Sequence, residues 1–459
     1  MFIKLLFSLF TIIIIGYVIV ELILKKLEIF SMLELFAITF GVGCAVVVLE
    51  MFFMSSLKIR FTILNILVFQ IPLYILAMHR FFKKGHTPFG NIKKPKFSII
   101  EIIFILFIVF NICYVLLVAI STPFTAWDTW THWGYKAKIF FSKRTIDNHI
   151  FRKVGEGGCY NPDYPLLIPL LESYIWIFLG NLYEPYAKLL GVLYYVCILI
   201  IFYFGLKKIY KRSFALGFTL VLSSLPGISL LAPIGYADVP MGFYITAAVI
   251  YIWLYLKDKD FSYLLLGALF LGIGMWTKKE GISQWFAVVS SIIFLRFIKQ
   301  IDLSKKSIIF LIALPLILIL PWIIFRISHG LTKFAYYDPV EPFSLLEPKR
   351  LPMILSLLVQ QLIDVWQWNL LWIIFIITLF ISFRRSKAEN MFLLYFILLQ
   401  MTIYVVVHFL LPNELERLRW HILNTFDRIF AQIAAIVLFF IAQQLSSIFI
   451  NAQDSIKNK

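Results

Sequence analysis

Charge is what this chain has least of. Only 15% of its 459 residues are Asp, Glu, Lys or Arg, against roughly 25% in soluble globular domains. Hydrophobic residues make up 61%, and the mean hydropathy is +0.90. A soluble enzyme is excluded. Acids are scarcer than bases, 25 against 42, leaving a net charge of +17. That excess does not point to nucleic acid, because Lys and Arg sit in short clusters between apolar runs, as the cytoplasmic loops of membrane proteins require. Cysteine is rare too: Cys44, Cys113, Cys159 and Cys197 show no CxxC spacing. Three of them lie in apolar runs, where a cysteine behaves as a small buried hydrophobe, and Cys159 has no evident disulfide partner. His132, His149, His329 and His421 form no HxH or HExxH pattern, so zinc has little support. A Gly-rich phosphate cradle, an N-x-S/T sequon and an internal repeat are all missing.

What is present is a series of runs long enough to cross a bilayer, each needing about 20 apolar residues. Spans are predicted at 3–24, 31–54, 61–79, 98–121, 188–206, 213–232, 239–256, 261–277, 282–298, 307–328, 366–383, 388–410 and 429–450. The first is long and lacks a small-residue cleavage site, so it reads as a retained span. Basic clusters separate them: Lys25–Lys26; Arg80, Lys83, Lys84, Lys93, Lys94 and Lys96; Lys207, Lys208, Lys211 and Arg212; Lys257 and Lys259; Arg296, Lys299, Lys305 and Lys306; Arg384, Arg385 and Lys387. If the spans alternate, all of these fall on one side, the cytoplasm, with the N-terminus outside and the C-terminus inside. Residues 165–180 must then not cross, although they are apolar. They carry two prolines and Glu172, and they read as a helix on the outer surface or dipping in from it. Residues 352–364 read in the same way. The fold class is an all-α polytopic membrane protein of about 13 spans, with interfacial helices in outer loops at 122–187, 329–365 and 411–428.

The outer connections carry the chemistry. "AWDTWTHWGYKAK" holds Asp128, Lys136 and Lys138; "GYADVP" holds Asp238; "WTKKEG" holds Lys278, Lys279 and Glu280; "RLRWHILNTFDR" holds Arg417, Arg419, His421 and Arg428. Charges near membrane depth cost roughly 2.5–3.5 kcal/mol each on insertion scales and are therefore functional candidates. Asp128 stands among Trp127, Trp130 and Trp133. A carboxylate walled by these rings would be partly desolvated and a better base for a sugar or lipid hydroxyl; the alternative is an aromatic belt with an incidental capping Asp. Asp238, just before a proline, is either a helix cap or a partner of Asp128. Lys136, Lys138, Lys278 and Lys279 would hold a phosphate as point charges or snorkel to lipid headgroups. Arg417 and His421 share a helix face at i, i+4, and Arg428 heads the last span, so an anion site is open to them. A divalent cation is possible at the acids. An embedded acid with outward cations, and no site for a cytosolic nucleotide sugar, suggests group transfer from a lipid-linked phosphate donor.

"AWDTWTHWGYKAK", "NPDYPLLIPLL", "GYADVP" and "WTKKEG" together resemble bacterial membrane glycosyltransferases of the GT-C superfamily, closest in look to the dolichyl-phosphate-mannose-protein mannosyltransferase and aminoarabinose transferase branch. The likeness spans about 98–300, flanked by an N-terminal extension (1–97) and C-terminal helices (301–459). It implies a polyprenyl-phosphate sugar donor and a lipid, glycan or protein acceptor. It also implies an inverting reaction on the outer face of a bacterial cytoplasmic membrane, Asp128 in the place of the base, and Asp238 in the place of a later acid. The family's lysine before paired prolines is absent; Asp163 and Tyr164 stand near it, which shifts phosphate recognition toward Lys136, Lys138, Lys278 and Lys279. Two other readings stand beside it. A flippase or transporter of lipid-linked saccharide would need charges through both leaflets and often half-repeats. An O-antigen polymerase or ligase would lean on Arg417 to Arg428.

Overall fold

The computed structural model describes residues 1–84, 96–152, 158–331, 347–382, 387–411 and 414–457. Lys93, Lys94, Lys153, Arg384, Arg385 and residues 332–346 of the expected outer loop lie outside the described residues. The described chain is helical: α1 Phe2–Ile23, α2 Met32–Ser56, α3 Ile63–Lys84, α4 Ile99–Ser121, α5 Gly134–Lys143, α6 Leu167–Leu179, α7 Glu184–Lys207, α8 Arg212–Ser223, α9 Pro226–Ser229, α10 Asp238–Asp258, α11 Phe261–Met275, α12 Glu280–Phe297, α13 Lys305–Ser328, α14 Arg350–Leu362, α15 Val365–Trp368, α16 Leu371–Ser382, α17 Ala388–Leu410, α18 Leu415–Leu423 and α19 Phe426–Lys457. Eleven of the 13 expected spans each fall on one of these helices; 213–232 covers α8 and α9, and 366–383 covers α15 and α16. Among the described residues, eight helices are long and apolar enough to cross a membrane, and nine if α8 is joined to Pro226–Ile234 as one broken span. This is a multi-pass membrane protein.

Residues group into two compact units, 1–220 with 232–237, and 221–231 with 238–459. In the first, α1 and α2 cross backbone to backbone. A Cβ on Gly16 would lie 1.8 Å from the Thr39 carbonyl oxygen and one on Gly43 1.9 Å from that of Ile12, so only glycine permits the approach. At one end of this unit, Lys208 pairs with Glu34 (3.0 Å) and Arg212 with Glu101 (2.8 Å), bringing two of the basic clusters together. At the other end the Phe61 amide donates to the Arg144 carbonyl (2.7 Å), and Lys188 Nζ donates to Thr122 Oγ1 (2.7 Å). The last contact joins the end of α4 to the start of α7. The chain between them therefore leaves and returns at one end. The short helix α6, expected on the outer surface or dipping in from it, is enclosed by the protein: all 13 of its residues are buried.

In the second unit α10 is the central helix, buried from Asp238 to Leu256, with α11 and α19 against it. Basic connections again share an end: Lys259 Nζ donates to the Asp302 carbonyl at 2.9 Å. The starts of α10, α12 and α19 share the other. Helix α14 has the amphipathic form expected of 352–364, with Arg350, Ile354 and Leu357 inward at i, i+4, i+7. Buried Arg350 donates to the carbonyls of Phe409 (2.8 Å) and Leu411, satisfying oxygens that the end of α17 leaves without helical partners.

Candidate active site

In the first unit the opening acid sits on an irregular turn. Asp128 leads a five-residue π turn, Thr129–Trp133, which runs directly into α5. π insertions are rare and gather at functional sites. Asp128 is half-exposed, and its side chain makes no capping bond to the turn that follows, so the cap reading is not what is built. The expected wall of three tryptophans is not built either. Trp127 and Trp130 are 64% and 59% exposed, while Trp133 is 1% exposed. The turn's own geometry divides them, since 127 and 130 share a face that 133, past the inserted residue, leaves. Thr129 Oγ1 donates to the Ile234 carbonyl (3.1 Å). Gly235, at φ +86°, takes a left-handed conformation that favours glycine, and a Cβ there would lie 3.1 Å from Thr129 and 3.2 Å from Phe124. The Ile234–Gly235 segment is thus fitted to the turn that carries Asp128.

The two lysines of the opening stretch part company. Lys136 is fully buried and donates to the carbonyls of Asn161 (3.0 Å), Tyr164 (3.4 Å) and Pro162 (3.5 Å). Its three N–H bonds pin the "NPDY" loop, and the Tyr164 ring packs on His132 and Trp133 at 5.0 and 5.5 Å. Lys136 and Tyr164, expected with Asp163 as phosphate ligands, are joined here through the Tyr164 carbonyl. Lys138 remains 38% exposed along its side chain and pairs with Glu184 at 2.6 Å. The other Glu184 oxygen accepts from the Phe124 amide at 2.8 Å.

Glu172, read from sequence only as a reason for α6 not to cross, is buried with no hydrogen bond to its Oε2. Burial pushes its carboxyl well above the usual carboxylate range, Glu184 adds to the rise, and Lys138 opposes it. A raised pKa favours folding while the acid is protonated in both states. That advantage falls away as pH rises above the unfolded value near 4.5. Glu172→Gln, always neutral, is expected to raise thermal stability at pH 8 and leave it unchanged at pH 4; equal effects at both would contradict a buried neutral acid.

In the second unit four expected residues converge. The Asp238 carboxylate, fully buried at the start of α10, accepts from Lys278 Nζ on Oδ1 (2.8 Å) and from Arg428 Nε and Nη2 on Oδ2 (3.1 and 3.0 Å). Lys278 also pairs with Glu280 at 2.9 Å. Burial pulls the Lys278 ammonium down, but Asp238 and Glu280 outweigh it, against Arg428, and hold it above the ordinary lysine value. Gln432, which sequence reading missed, donates to Oδ1 at 2.9 Å. One signal pointed to it: a polar residue at i+4 from Arg428, on the same face of an apolar helix. Four donors occupy both oxygens of Asp238, so it is a holder of cations rather than a vacant base. Lys279 is half-buried next to this cluster in sequence. Arg417 is exposed on α18 and takes no part in it. Among the described residues, no three His, Cys, Asp or Glu side chains are grouped to hold a metal ion.

Among solved structures, the chain is similar to ArnT from Cupriavidus metallidurans in the apo state, with 14% identity and a TM-score of 0.50 over 76% of this chain and 63% of that one. It is similar also to the same protein bound to undecaprenyl phosphate, with 13% identity and a TM-score of 0.50 over 74% and 60%. An oligosaccharyltransferase, AglB from Archaeoglobus fulgidus, in complex with an inhibitory peptide and a dolichol-phosphate, matches more loosely, with 11% identity and a TM-score of 0.44 over 77% and 51%. The chain spans less than two thirds of the length of the ArnT chain. No protein-family model matches the sequence, and no curated protein matches it. The chain is all-helical among the described residues, and its fold is similar to that of ArnT.

Proposed function

We propose that this protein is an integral membrane glycosyltransferase that moves a sugar from a polyprenyl-phosphate donor to a lipid, glycan or protein acceptor on the outer face of a bacterial cytoplasmic membrane. The observation that carries the reading is a pair of cations, the buried Lys278 and the partly buried Arg428, held on one carboxylate at the start of a central span. Cations placed at a span's end are costly and are functional candidates by default, and a lipid phosphate is an anion delivered at that depth. The fold supports the same reading, since a solved structure of that fold holds undecaprenyl phosphate.

In this mechanism the acceptor hydroxyl loses its proton to Asp128 as its oxygen attacks the anomeric carbon. The bond from that carbon to the donor phosphate oxygen breaks, the configuration inverts, and polyprenyl phosphate leaves carrying the negative charge. Lys278 and Arg428, with the half-exposed Lys138 and Lys279, are the cations available to stabilise that charge. Lys136 is not among them, because its donors are spent on the 161–164 loop. Asp238 sets the position of its two cations and takes no proton. Comparing lipid-linked sugars and surface glycans by mass spectrometry, with and without the protein, tests the reading. The donor should accumulate and one glycan should lose a sugar; unchanged profiles in both pools would sink it.

A further inference from the structure

Arg428 reaches Asp238 in an unusual way. Arginine prefers to meet a carboxylate fork to fork, with two parallel N–H bonds to two different oxygens. Here both of its bonds end on Oδ2, because Oδ1 is already taken by Lys278 and by the Gln432 amide. The amide is itself held: its Oε1 accepts from Gln284 Nε2 at 2.8 Å. The direction of this chain is set from its charged end. Since an ionised carboxylate only accepts, Gln432 must turn its NH2 toward Asp238, which leaves its carbonyl for Gln284. Gln284 and Gln432 are both fully buried, so no water competes for these bonds. Gln284 also lies on α12, the helix whose first residue, Glu280, grips Lys278 from the other side.

We infer that Gln432 and Gln284 are positioning residues: a polarised relay that reserves one oxygen of Asp238 for Lys278 and stops Arg428 from claiming both. Without the Gln432 amide, Oδ1 has a single partner, the carboxylate turns into the forked pairing with Arg428, and Lys278 is released toward Glu280. The consequence for lipid phosphate rests on the function proposed above; the release of Lys278 does not.

The test uses the full chain purified in detergent and labelled with acetic anhydride, with the acetylation of each lysine read by peptide mass spectrometry. Gln432→Leu is expected to raise Lys278 labelling about tenfold, the scale of losing a hydrogen bond to a charged group. Gln284→Leu, one bond further away, is expected to raise it about threefold on the scale of a neutral bond. Buried Lys136, in the other unit, serves as the internal control. Unchanged Lys278 labelling in Gln432→Leu overturns the relay, as does a rise that Lys136 shares, since that is general loosening. In a second arm, undecaprenyl phosphate is expected to bind Gln432→Leu about tenfold more weakly than the parent chain. The same substitution in a Lys278→Gln background is expected to have no further effect, because the residue it positions is gone; an undiminished effect there overturns the relay. If the parent chain does not bind this lipid, the proposed function fails while the labelling result still decides the relay.

Discussion

Asp128→Asn is expected to lower sugar transfer by about 10²–10⁴-fold, the range that a positioned general base contributes, while the protein is made and folds as before. The substitution changes one oxygen to an amide nitrogen on a half-exposed side chain that makes no capping bond to the turn it precedes. The turn's N-terminal cap therefore does not depend on the lost charge. The π turn itself is held by other groups: Thr129 bonds to the Ile234 carbonyl, and the Trp130 indole donates to the Phe124 carbonyl. The assay is transfer from a polyprenyl-phosphate sugar by membranes carrying each variant at equal protein level, with Arg417→Ala in parallel. Loss in the first and retention in the second fits a single carboxylate base. Near-full activity in Asp128→Asn removes Asp128 from the reaction, and loss in Arg417→Ala alone returns the ligase-type alternative.

The second large effect is on stability. Asp238→Asn is expected to destabilise the second unit by about 3–5 kcal/mol, the usual result of breaking a buried ion pair from one side. The amide fits the same space but leaves Lys278 and Arg428, with side chains 5% and 13% exposed, without their shared counter-charge. It also presents an NH2 group where one of four donors must now be turned away. Thermal unfolding in detergent measures the loss; a change under about 1 kcal/mol would mean that the cations are well solvated and not held by Asp238. The pH dependence has a definite sign. The Lys278 ammonium is held above the ordinary lysine value of 10.5. Its contribution is therefore complete at neutral pH and is lost only as pH rises beyond that value. The parent chain should show no stability change from this pair between pH 6 and 9, and the deficit of the variant should be constant across the same range.

The sequence by itself determined the helices. Apolar runs of about 20 residues and the clustering of Lys and Arg are local features, and the cost of a charge inside a bilayer makes them decisive. The expectation that 165–180 does not cross came from the same count of lysines, and the Lys188–Thr122 contact joins the two ends of the chain around it, at the start of α7 and the end of α4. The gathering of Asp238, Lys278, Glu280 and Arg428 at one end was legible for the same reason. What each residue does there was not. Lys136 and Lys278 both stand beside tryptophans in outer connections, and both read as phosphate cations. Only the fold shows that one spends its donors on carbonyls 25 to 28 residues away, while the other meets a carboxylate 40 residues away. Gln432 lies 194 residues from the oxygen it donates to. Periodicity records which face of a helix turns inward, but not which polar group the opposing helix will bring to it. The tertiary structure made that choice because a buried donor or acceptor left without a partner costs about as much as a good hydrogen bond gains, and only packing puts the matching atoms within reach.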